Sequence, residues 1–482
     1  MQSIRDKYFH IVLICIFAVS FFLSIFKIAE SPPTWMDEGI IISVARNMYD
    51  KHDIGIQVAK DISESASLVT TGPTVTIPIF LSFSIFGIGL IQARFVMVIF
   101  ILAFLFFVYL ILRRLFGKTN ITIFSLLLIS TFPPLYGNGK NVLGEVPGLF
   151  FMALLFYFLL KFKDRLNKTS FLFLMGIMCG LIIITKPIFI LLIPALILAY
   201  ILLRIGEYID KHEKISNLRL CDYIALIIGA FLPIFLWYKI QIAPTSLTRL
   251  FSVYSNPHSV SFIHSIWENI RLIFHDFQPL YCVLTLILFI VTIIQCYRHK
   301  IKMSFVYLTV VSFSVLIFLA FLRMPAYYRY FFLAQTWGII FIIPNLNIIL
   351  NRYKYKKIVL SLTFAGILSI HLYTLFFRSW VAHSFQSNRT KSLIQYFESM
   401  EIKDKIFFIY QAPELVTFIK NKNYYQYVDL AKNIPIGKDS LKYIDSNNID
   451  YIATNASLVD NQLFKNYTEE KKIDRYIILK KK

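Results

Sequence analysis

Charged residues are scarce in this chain. Asp, Glu, Lys and Arg make up 16% of its 482 residues, hydrophobic residues make up 57%, and the mean hydropathy is +0.64. Soluble domains carry about 25% charged residues, so this composition excludes a soluble protein of this length. The apolar residues are grouped in runs of roughly 17–22, the length that crosses the hydrocarbon core of a bilayer as a helix. The sequence therefore predicts a polytopic α-helical membrane protein.

Cysteine is also rare, and its spacing excludes two kinds of site. No pair of cysteines has CxxC spacing, and all of them lie in or beside apolar runs, which argues against a disulfide framework or a zinc–cysteine centre. The five are Cys15, Cys179, Cys221, Cys282 and Cys296. The sequence also lacks a Gly-rich nucleotide-binding loop and a GxSxG elbow.

Acidic residues are fewer than basic ones, at 28 against 49, which gives a formal net charge of +21. In a soluble protein such an excess would favour nucleic acid as a partner. Here much of the Lys and Arg falls in short loops between apolar runs. The tendency of cytoplasmic loops to be positive explains the excess, so no nucleic-acid partner is predicted. The loops assigned to the cytoplasmic side are Arg113–Lys118, Lys161–Lys168, Arg204–Arg219, Tyr297–Lys302 and Arg352–Lys357.

Eleven apolar runs are predicted to cross an inner or plasma membrane. The first has a basic start like a signal peptide, but its apolar core is too long for one, so we expect a retained span. The stretch "GPTVTIPIFLSFSIFGIG" (72–89) would reverse the sidedness of Arg113 and Arg114 if it crossed, so it is predicted to be a surface or re-entrant helix. The predicted spans lie near 8–29, 91–112, 120–136, 146–161, 170–184, 187–203, 222–239, 279–296, 303–321, 331–349 and 357–377.

The C-terminal part differs in pattern from the rest. Residues 1–377 are predicted to form a transmembrane domain, with 30–90 as its first extracytoplasmic loop, and residues 378–482 a small extracytoplasmic α/β domain. Within the latter, "TKSLIQYFESM", "APELVTFIKN" and "KDSLKYIDSN" have helical patterns. The segments "KIFFIYQ", "DYIATNA" and "DRYIILKK" have the pattern of strands.

Three acids lie on the predicted extracytoplasmic side, close to the membrane. Asp37 and Glu38 follow the first span in "SPPTWMDEGIIISVARNMYD", and Glu145 begins a later one. A simple explanation is that Asp37 caps a helix lying flat on the bilayer, while Glu38 and Glu145 complement helix N-termini. The alternative is a shared site, with one acid as general base and another holding a metal or an acceptor.

Four cations lie on the same predicted side, where short loops normally avoid positive charge. They are Arg94, Lys186, Arg323 and Arg329. A charged side chain at mid-helix costs about 2–3 kcal/mol on insertion scales and less near an interface. Snorkelling to the interface explains any one of them. As a set they fit the binding of a phosphate carried by a lipid.

A chain of short motifs across roughly residues 30–335 resembles the GT-C glycosyltransferases. The resemblance is to the branch of protein O-mannosyltransferases and aminoarabinose transferases that use polyprenyl-phosphate sugars. The motifs are "PTWMDEGIIISVARNMYD", "GPTVTIPIFLSFSIFGIGLIQARFVMVIF", "GEVPGLFFMALLFYFLLK", "GLIIITKPIFILLIPALILA" and "YYRYFFLAQTWGII". Their order, spacing and common sidedness carry the resemblance, since each motif alone is weak.

The resemblance implies transfer of a monosaccharide from a polyprenyl-phosphate carrier to an extracytoplasmic lipid, glycan or protein, with inversion. It implies Asp37 as the general base, with Glu38 and Glu145 placing the acceptor. Donor phosphate contacts would come from Arg94, Lys186, Arg323 and Arg329, and sugar or acceptor contacts from Tyr328 and Tyr330.

Two departures from the family pattern concern phosphate and metal. The stretch Thr71–Thr74 reads Thr-Gly-Pro-Thr where the family often has His or Lys, and the first loop lacks an Asp-x-Asp pair. Strict metal dependence is therefore not expected, although the pattern leaves open a divalent ion held by Asp37 and Glu145.

Two other classes of function stay open at this stage. An O-antigen-type polymerase or ligase would also present extracytoplasmic cations but would not need the early acid pair. A flippase or transporter of lipid-linked glycans would place ionisable groups deep in its spans, whereas the predicted span 303–321 carries none. The sequence does not identify the sugar, the acceptor or the oligomeric state.

Overall fold

The structure, a computed structural model, describes most of the chain. The described residues are 2–69, 71–162, 168–210, 219–242, 261–275, 277–323, 328–378, 388–400, 405–419, 422–429, 435–445, 449–460 and 462–482. Parts of two predicted basic loops (163–167 and 211–218) lie outside them.

Every predicted span coincides with a helix or a pair of helices. Eight described helices are long and apolar enough to cross a membrane, or up to nine if the pair Asn120–Ser130 and Pro133–Gly139, bent by 49°, counts as one span. Glu145–Lys161 and Thr169–Thr185 have 17 residues each. The chain is thus a multi-pass helical membrane protein, and the count of eleven spans stays a prediction. The other long helices are Gln2–Ile25, Leu90–Phe116, Leu192–Asp210, Leu220–Trp237, Phe277–Arg298, Phe305–Arg323, Tyr328–Ile349 and Lys356–Tyr373.

The ambiguous apolar stretch forms the helix Pro73–Phe86. Its 14 residues span about 21 Å at 1.5 Å per residue, less than the roughly 30 Å of a hydrocarbon core. Pro73 stands at its first position, and Gly87 ends it with a φ of 81°. This length agrees with the prediction of a surface or re-entrant helix, and its depth in the bilayer stays a prediction.

Three helices meet in the core of the helical part: Leu90–Phe116, Glu145–Lys161 and Tyr328–Ile349. Trp337 lies at their centre, with its ring centroid 6.1 Å from that of Phe104 and 5.4 Å from that of Phe156. All three side chains are fully buried. This packing aligns the three helices so that their first turns lie at one end of the bundle.

The helix Met36–Lys51, here called the acid helix, carries Asp37 and Glu38 in its first turn. Its N-cap is Trp35, which makes no side-chain capping bond, so the explanation of Asp37 as a helix cap is wrong. Every residue from Glu38 to Asn47 is buried within the protein, so protein and not lipid covers this stretch, and the angle of the helix to the bilayer stays a prediction. The acid helix is an internal element.

Two short strands, Gly55–Ala59 (β1) and Ile62–Ser65 (β2), follow the acid helix as an antiparallel hairpin. The sequence analysis did not predict them. Gln57 on β1 donates to the carbonyls of Lys422 and Tyr424, and Gln426 donates in return to the carbonyl of Gln57. The hairpin therefore ties the acid helix to the C-terminal part of the chain.

The described residues from 388 to 482, here called the C-terminal domain, contain a six-stranded sheet. Its strands are Phe407–Tyr410 (β3), Tyr424–Asp429 (β4), Pro435–Ile436 (β5), Tyr451–Asn455 (β6), Tyr467–Ile473 (β7) and Tyr476–Lys481 (β8), in the order β5-β4-β3-β6-β8-β7. β3 is parallel to β4 and β6, and the other pairs are antiparallel. The α/β prediction is thus confirmed, although β4, β5 and β7 were not predicted.

Of the three helices predicted in this domain, one is a regular α-helix, Arg389–Ser399. The second is a 3₁₀-helix, Pro413–Phe418, because Arg46 of the acid helix takes the carbonyl oxygens of Val416 and Ile419 at 2.7 and 2.6 Å. The third divides into a 3₁₀ turn at Lys438–Leu441 and one α-turn at Lys442–Asp445.

Candidate active site

The first turns of several helices bring the singled-out side chains together. Glu145 and Arg329 lie in the first turns of two of the helices that meet in the core, and Arg94 is the fifth residue of the third. Lys186 lies at the C-cap of Thr169–Thr185, and the acid helix supplies its own first turn. Residues far apart in sequence thus share one end of the helix bundle.

Glu38 and Arg94 form a bidentate ion pair with no exposed surface on either side chain. Arg94 donates from Nε to Glu38 Oε1 at 2.8 Å and from Nη2 to Glu38 Oε2 at 2.7 Å. Its other bonds go from Nη1 to the carbonyls of Ile28 and Pro32 and from Nη2 to Asn141 Oδ1. A guanidinium has five N–H donors, so every donor of Arg94 is used.

Glu38 also accepts from the backbone N–H of Val142 at 3.1 Å. The pair therefore joins the acid helix, the helix Leu90–Phe116 and the short segment before Glu145. Arg94 has no donor left for a ligand, and a buried, well hydrogen-bonded pair of this kind fixes the local geometry.

Glu145 and Lys186 form a second buried pair, in which Lys186 Nζ donates to Glu145 Oε1. The turn that carries Lys186 packs closely on the start of the Glu145 helix. A Cβ on Gly144 would lie 2.6 Å from the carbonyl oxygen of Thr185, so only glycine allows this approach. Thr74 Oγ1 donates to Thr185 Oγ1 at 2.9 Å, which holds the same turn from another side.

Asp37 and Arg329 form the third pair, with Arg329 Nη1 2.5 Å from Asp37 Oδ2. The guanidinium carbon lies 4.9 Å from the ring centroid of Trp35 and 5.3 Å from that of Tyr330. The negative charges of Asp37 and Glu145 both act on the Arg329 guanidinium. Arg329 thus contacts Asp37 and is near enough to Glu145 to be influenced by its charge.

The three acids differ sharply in accessibility. The side chain of Asp37 is 37% exposed, whereas those of Glu38 and Glu145 are 0% and 2% exposed. Only Asp37 can therefore meet an incoming molecule without rearrangement of the protein around it.

Two other predicted site residues have only their backbones in the described part. Arg323 ends the helix Phe305–Arg323 and Tyr328 begins the helix Tyr328–Ile349, and the side chains of both lie outside the described part. Tyr330 is half-buried, and its hydroxyl lies 3.5 Å from Arg329 Nη2.

Lys140 was missed by the sequence analysis. It lies in the segment before Glu145, is fully buried, and donates from Nζ to the carbonyl of Phe26 at 2.7 Å. Burial, aided by the positive charge of Arg94, lowers the pKa of Lys140 to about 7. The rule that singled out Lys186, a cation in a short segment on the predicted extracytoplasmic side, would have found it.

The described residues do not fit a resident metal ion. No three His, Cys, Asp or Glu side chains among them are close enough together to hold one. Asp37 and Glu145, for which the sequence left a divalent ion open, each contact a cationic side chain. One oxygen, Glu145 Oε2, is buried without a hydrogen-bond partner, but a single free oxygen is not a metal site.

Comparisons of sequence and of fold show which known proteins this chain resembles. Residues 71–253 match the family model described as dolichyl-phosphate-mannose-protein mannosyltransferase. The fold matches ArnT from Cupriavidus metallidurans bound to undecaprenyl phosphate, with a TM-score of 0.63 and 12% identity over 97% of each chain. At 12% identity this match shows a common fold, that of the GT-C glycosyltransferases.

A second GT-C structure has the same fold. The archaeal oligosaccharyltransferase AglB from Archaeoglobus fulgidus, in complex with an inhibitory peptide and a dolichol-phosphate, matches with a TM-score of 0.55 and 12% identity. The match covers 94% of this chain and 70% of that one. None of the curated proteins compared with the chain matches it. The predicted resemblance to GT-C glycosyltransferases is confirmed.

Proposed function

We propose that this protein is a GT-C-type glycosyltransferase that moves a monosaccharide from a polyprenyl-phosphate carrier to an extracytoplasmic acceptor, with Asp37 as general base. The observation that carries the proposal is the Asp37–Arg329 pair. It combines the one accessible acid of the three with a guanidinium that suits a phosphate, beside a third charged group, Glu145. Both structural neighbours are described with a polyprenyl-type phosphate bound, which supports this class of donor.

For this reaction the protein has to orient the donor and the acceptor and to stabilise the negative charge that develops on the phosphate. An acceptor hydroxyl or amine attacks the anomeric carbon while the bond from that carbon to the phosphate oxygen breaks. The polyprenyl phosphate leaves with the bonding electrons and gains one negative charge, and the acceptor proton goes to Asp37. A single displacement of this kind inverts the anomeric configuration.

Arg329 and Lys186 are the cations placed to stabilise the leaving phosphate. A carboxylate held by a guanidinium is a poor proton acceptor, because the pair stabilises its charged form. A donor phosphate that draws Arg329 toward itself would release Asp37 at the moment the acceptor needs a base. Lys186 would make the corresponding exchange from Glu145, whose other oxygen is already without a partner.

Arg94 and Glu38 take a different part in this proposal from the one the resemblance implied. Since every donor of Arg94 is engaged and both side chains are buried, we assign the pair to holding the first turn of the acid helix. Tyr330, beside Arg329, remains our candidate for a sugar or acceptor contact, and Arg323 and Tyr328 remain predictions from the sequence.

A sugar-transfer assay on the purified protein in lipid nanodiscs tests the proposal. The donors are undecaprenyl phosphate carrying radiolabelled mannose, glucose or aminoarabinose, and a cell-envelope extract supplies acceptors. We expect wild type to consume at least one donor. Asp37→Asn should lower the rate by about 10²-fold or more, because Asn has the same shape but cannot take the proton.

Asp61→Asn is the matched control, since Asp61 is exposed in the hairpin turn and its φ of 59° suits Asn. It should transfer at the wild-type rate. Wild-type turnover in Asp37→Asn would remove Asp37 from the mechanism. Consumption of a pyrophosphate-linked oligosaccharide would indicate the polymerase or ligase alternative, and translocation without bond cleavage the flippase.

A further inference from the structure

The segment Glu30–Gly39, which carries the two acids, is held from two sides. On one side Arg94 binds the carbonyls of Ile28 and Pro32 and the carboxylate of Glu38. The other side of the segment is held by the C-terminal domain. These contacts alternate along the segment, so neither side alone fixes its path.

Two arginines of the C-terminal domain converge on one backbone oxygen of this segment. Arg475 Nη2 lies 3.1 Å, and Arg389 Nη2 3.2 Å, from the carbonyl oxygen of Thr34, three residues before Asp37. Arg389 begins a helix, and Arg475 lies in the turn between β7 and β8. Such convergence of two charged donors on one neutral carbonyl needs the whole domain to be in place.

The ends of the segment are held as well. Glu30 accepts from the backbone N–H groups of Thr390 and Lys391 at 3.2 and 2.7 Å, at the N-terminus of the helix Arg389–Ser399. Gly39 touches the backbone of Glu414, because a Cβ there would lie 2.2 Å from the Glu414 nitrogen. The C-terminal domain thus contacts the segment before and after Asp37.

Arg475 is itself oriented from within its domain. Its Nη2 lies 2.8 Å from Glu414 Oε1, and the hydroxyl of Tyr476 donates to the same oxygen at 2.6 Å. Glu414 is buried, and burial raises its pKa, so its carboxylate depends on these two partners for its charge. The cluster of Glu414, Arg475 and Tyr476 therefore links the contact at Gly39 to the contact at Thr34.

We propose that Arg475 is a positioning residue for Asp37, and that the C-terminal domain is in this sense a part of the active site. The inference rests on the proposed function of Asp37 and extends it to a residue 438 positions away by number. Arg475 touches neither the donor nor the acceptor in this proposal. It fixes the backbone from which Asp37 reaches the site, and a displacement of about 1 Å at a reacting group can cost about 10²-fold in rate.

The test compares Arg475→Ala, Arg475→Lys and the control Lys480→Ala in the nanodisc transfer assay. Lys480 lies on β8 of the same domain, and its only described ion pair is a loose contact of 4.0 Å with Glu470. We expect Arg475→Ala to lower kcat by about 10- to 100-fold with little change in the KM for donor, since the base and not donor binding is displaced. Arg475→Lys should recover part of kcat, and Lys480→Ala should match wild type.

A second measurement separates positioning from loss of structure. In the background of Asp37→Glu, whose carboxylate is already displaced by one methylene, Arg475→Ala should cost clearly less than in wild type, because both changes act on the same geometry. Hydrogen exchange of the amides of residues 34–42 should be faster in Arg475→Ala and unchanged in Lys480→Ala.

Three results would overturn the inference. They are a kcat of Arg475→Ala within about twofold of wild type, a full additional loss in the Asp37→Glu background, and a drop in kcat that only follows a drop in melting temperature and is not recovered by Arg475→Lys. In each case Asp37→Asn still reports separately on the proposed function. Activity of that variant would instead remove the base on which the inference rests.

Discussion

The guanidinium of Arg329 binds the carboxylate of Asp37 through an Nη1–Oδ2 contact of 2.5 Å that joins residues 292 positions apart in sequence. The pair unites the early acid motif with the late Arg-Tyr motif of the sequence. It is also the most accessible of the three ion pairs at this end of the bundle, since both Glu38–Arg94 and Glu145–Lys186 are buried. In the proposed function, the donor phosphate would therefore compete with Asp37 for the guanidinium of Arg329.

Replacing Arg329 tests this competition. We expect Arg329→Gln to lower kcat/KM for the donor by about 10²-fold, with a raised donor KM, because one charged hydrogen-bond donor to the leaving group is lost. Arg329→Lys keeps the charge but not the planar fork, so it should recover only part of the loss. Arg352→Gln, an exposed arginine just beyond the same helix, is the control. An unchanged donor KM in Arg329→Gln would show that Arg329 only holds Asp37.

The Glu145–Lys186 pair allows a test in which stability and activity separate. Either Glu145→Gln or Lys186→Met leaves one buried charge without its partner, a change that costs about 3–5 kcal/mol in comparable pairs. The double variant removes both charges, so we expect its melting temperature to return toward that of wild type. Its transfer activity should stay low, because the cation for the phosphate is still missing.

Thermal unfolding in detergent measures the change in stability, and the donor assay measures the change in transfer activity on the same samples. If the double variant were as unstable as the two single losses combined, the side chains would not be coupled as the structure shows. A wild-type donor KM in Lys186→Met would separate Lys186 from phosphate binding.

The helical architecture was predictable because its signal is local. A run of about 20 apolar residues is sufficient to indicate a span, whatever the rest of the chain does. The acids and cations stood out for the same reason, since a charge beside such a run is costly wherever it finally lies. How they pair was not predictable, because Arg94 meets Glu38 across 56 positions and only the packing of helices decides the partner.

The C-terminal domain shows the other limit of sequence reasoning. Tyr424–Asp429 is rich in Tyr and contains Val, residue types that favour strands, but the sequence analysis did not predict this strand. The local sequence did not indicate that Pro413–Phe418 would be a 3₁₀-helix and not an α-helix. Arg46, which donates to the carbonyls of Val416 and Ile419, belongs to a helix far away in sequence. The contacts of Arg389 and Arg475 with Thr34 likewise depend on docking of the domain and leave no periodic pattern.

Lys140 gives a prediction for stability against pH. Its pKa of about 7 in the folded protein lies below the ordinary value of 10.5, so between these values the unfolded chain binds more protons than the folded one. Stability should therefore rise with pH over this window, by at most about 1.4 kcal/mol per pH unit from this residue. Below pH 7 both states are protonated and the full cost of burying the charge is present.

Lys140→Met removes the titrating group while keeping a long side chain. We expect this variant to melt above wild type at pH 7, because it buries no amine, and the gap should narrow as the pH rises toward 9. Lys60→Met, at an exposed position in the hairpin turn, should give a pH profile parallel to that of wild type. The test is to measure the melting temperatures of the three proteins by intrinsic fluorescence at steps of half a pH unit. Parallel profiles for wild type and Lys140→Met would mean that Lys140 keeps its proton in the folded protein across the whole window, with a charge partner that compensates its burial.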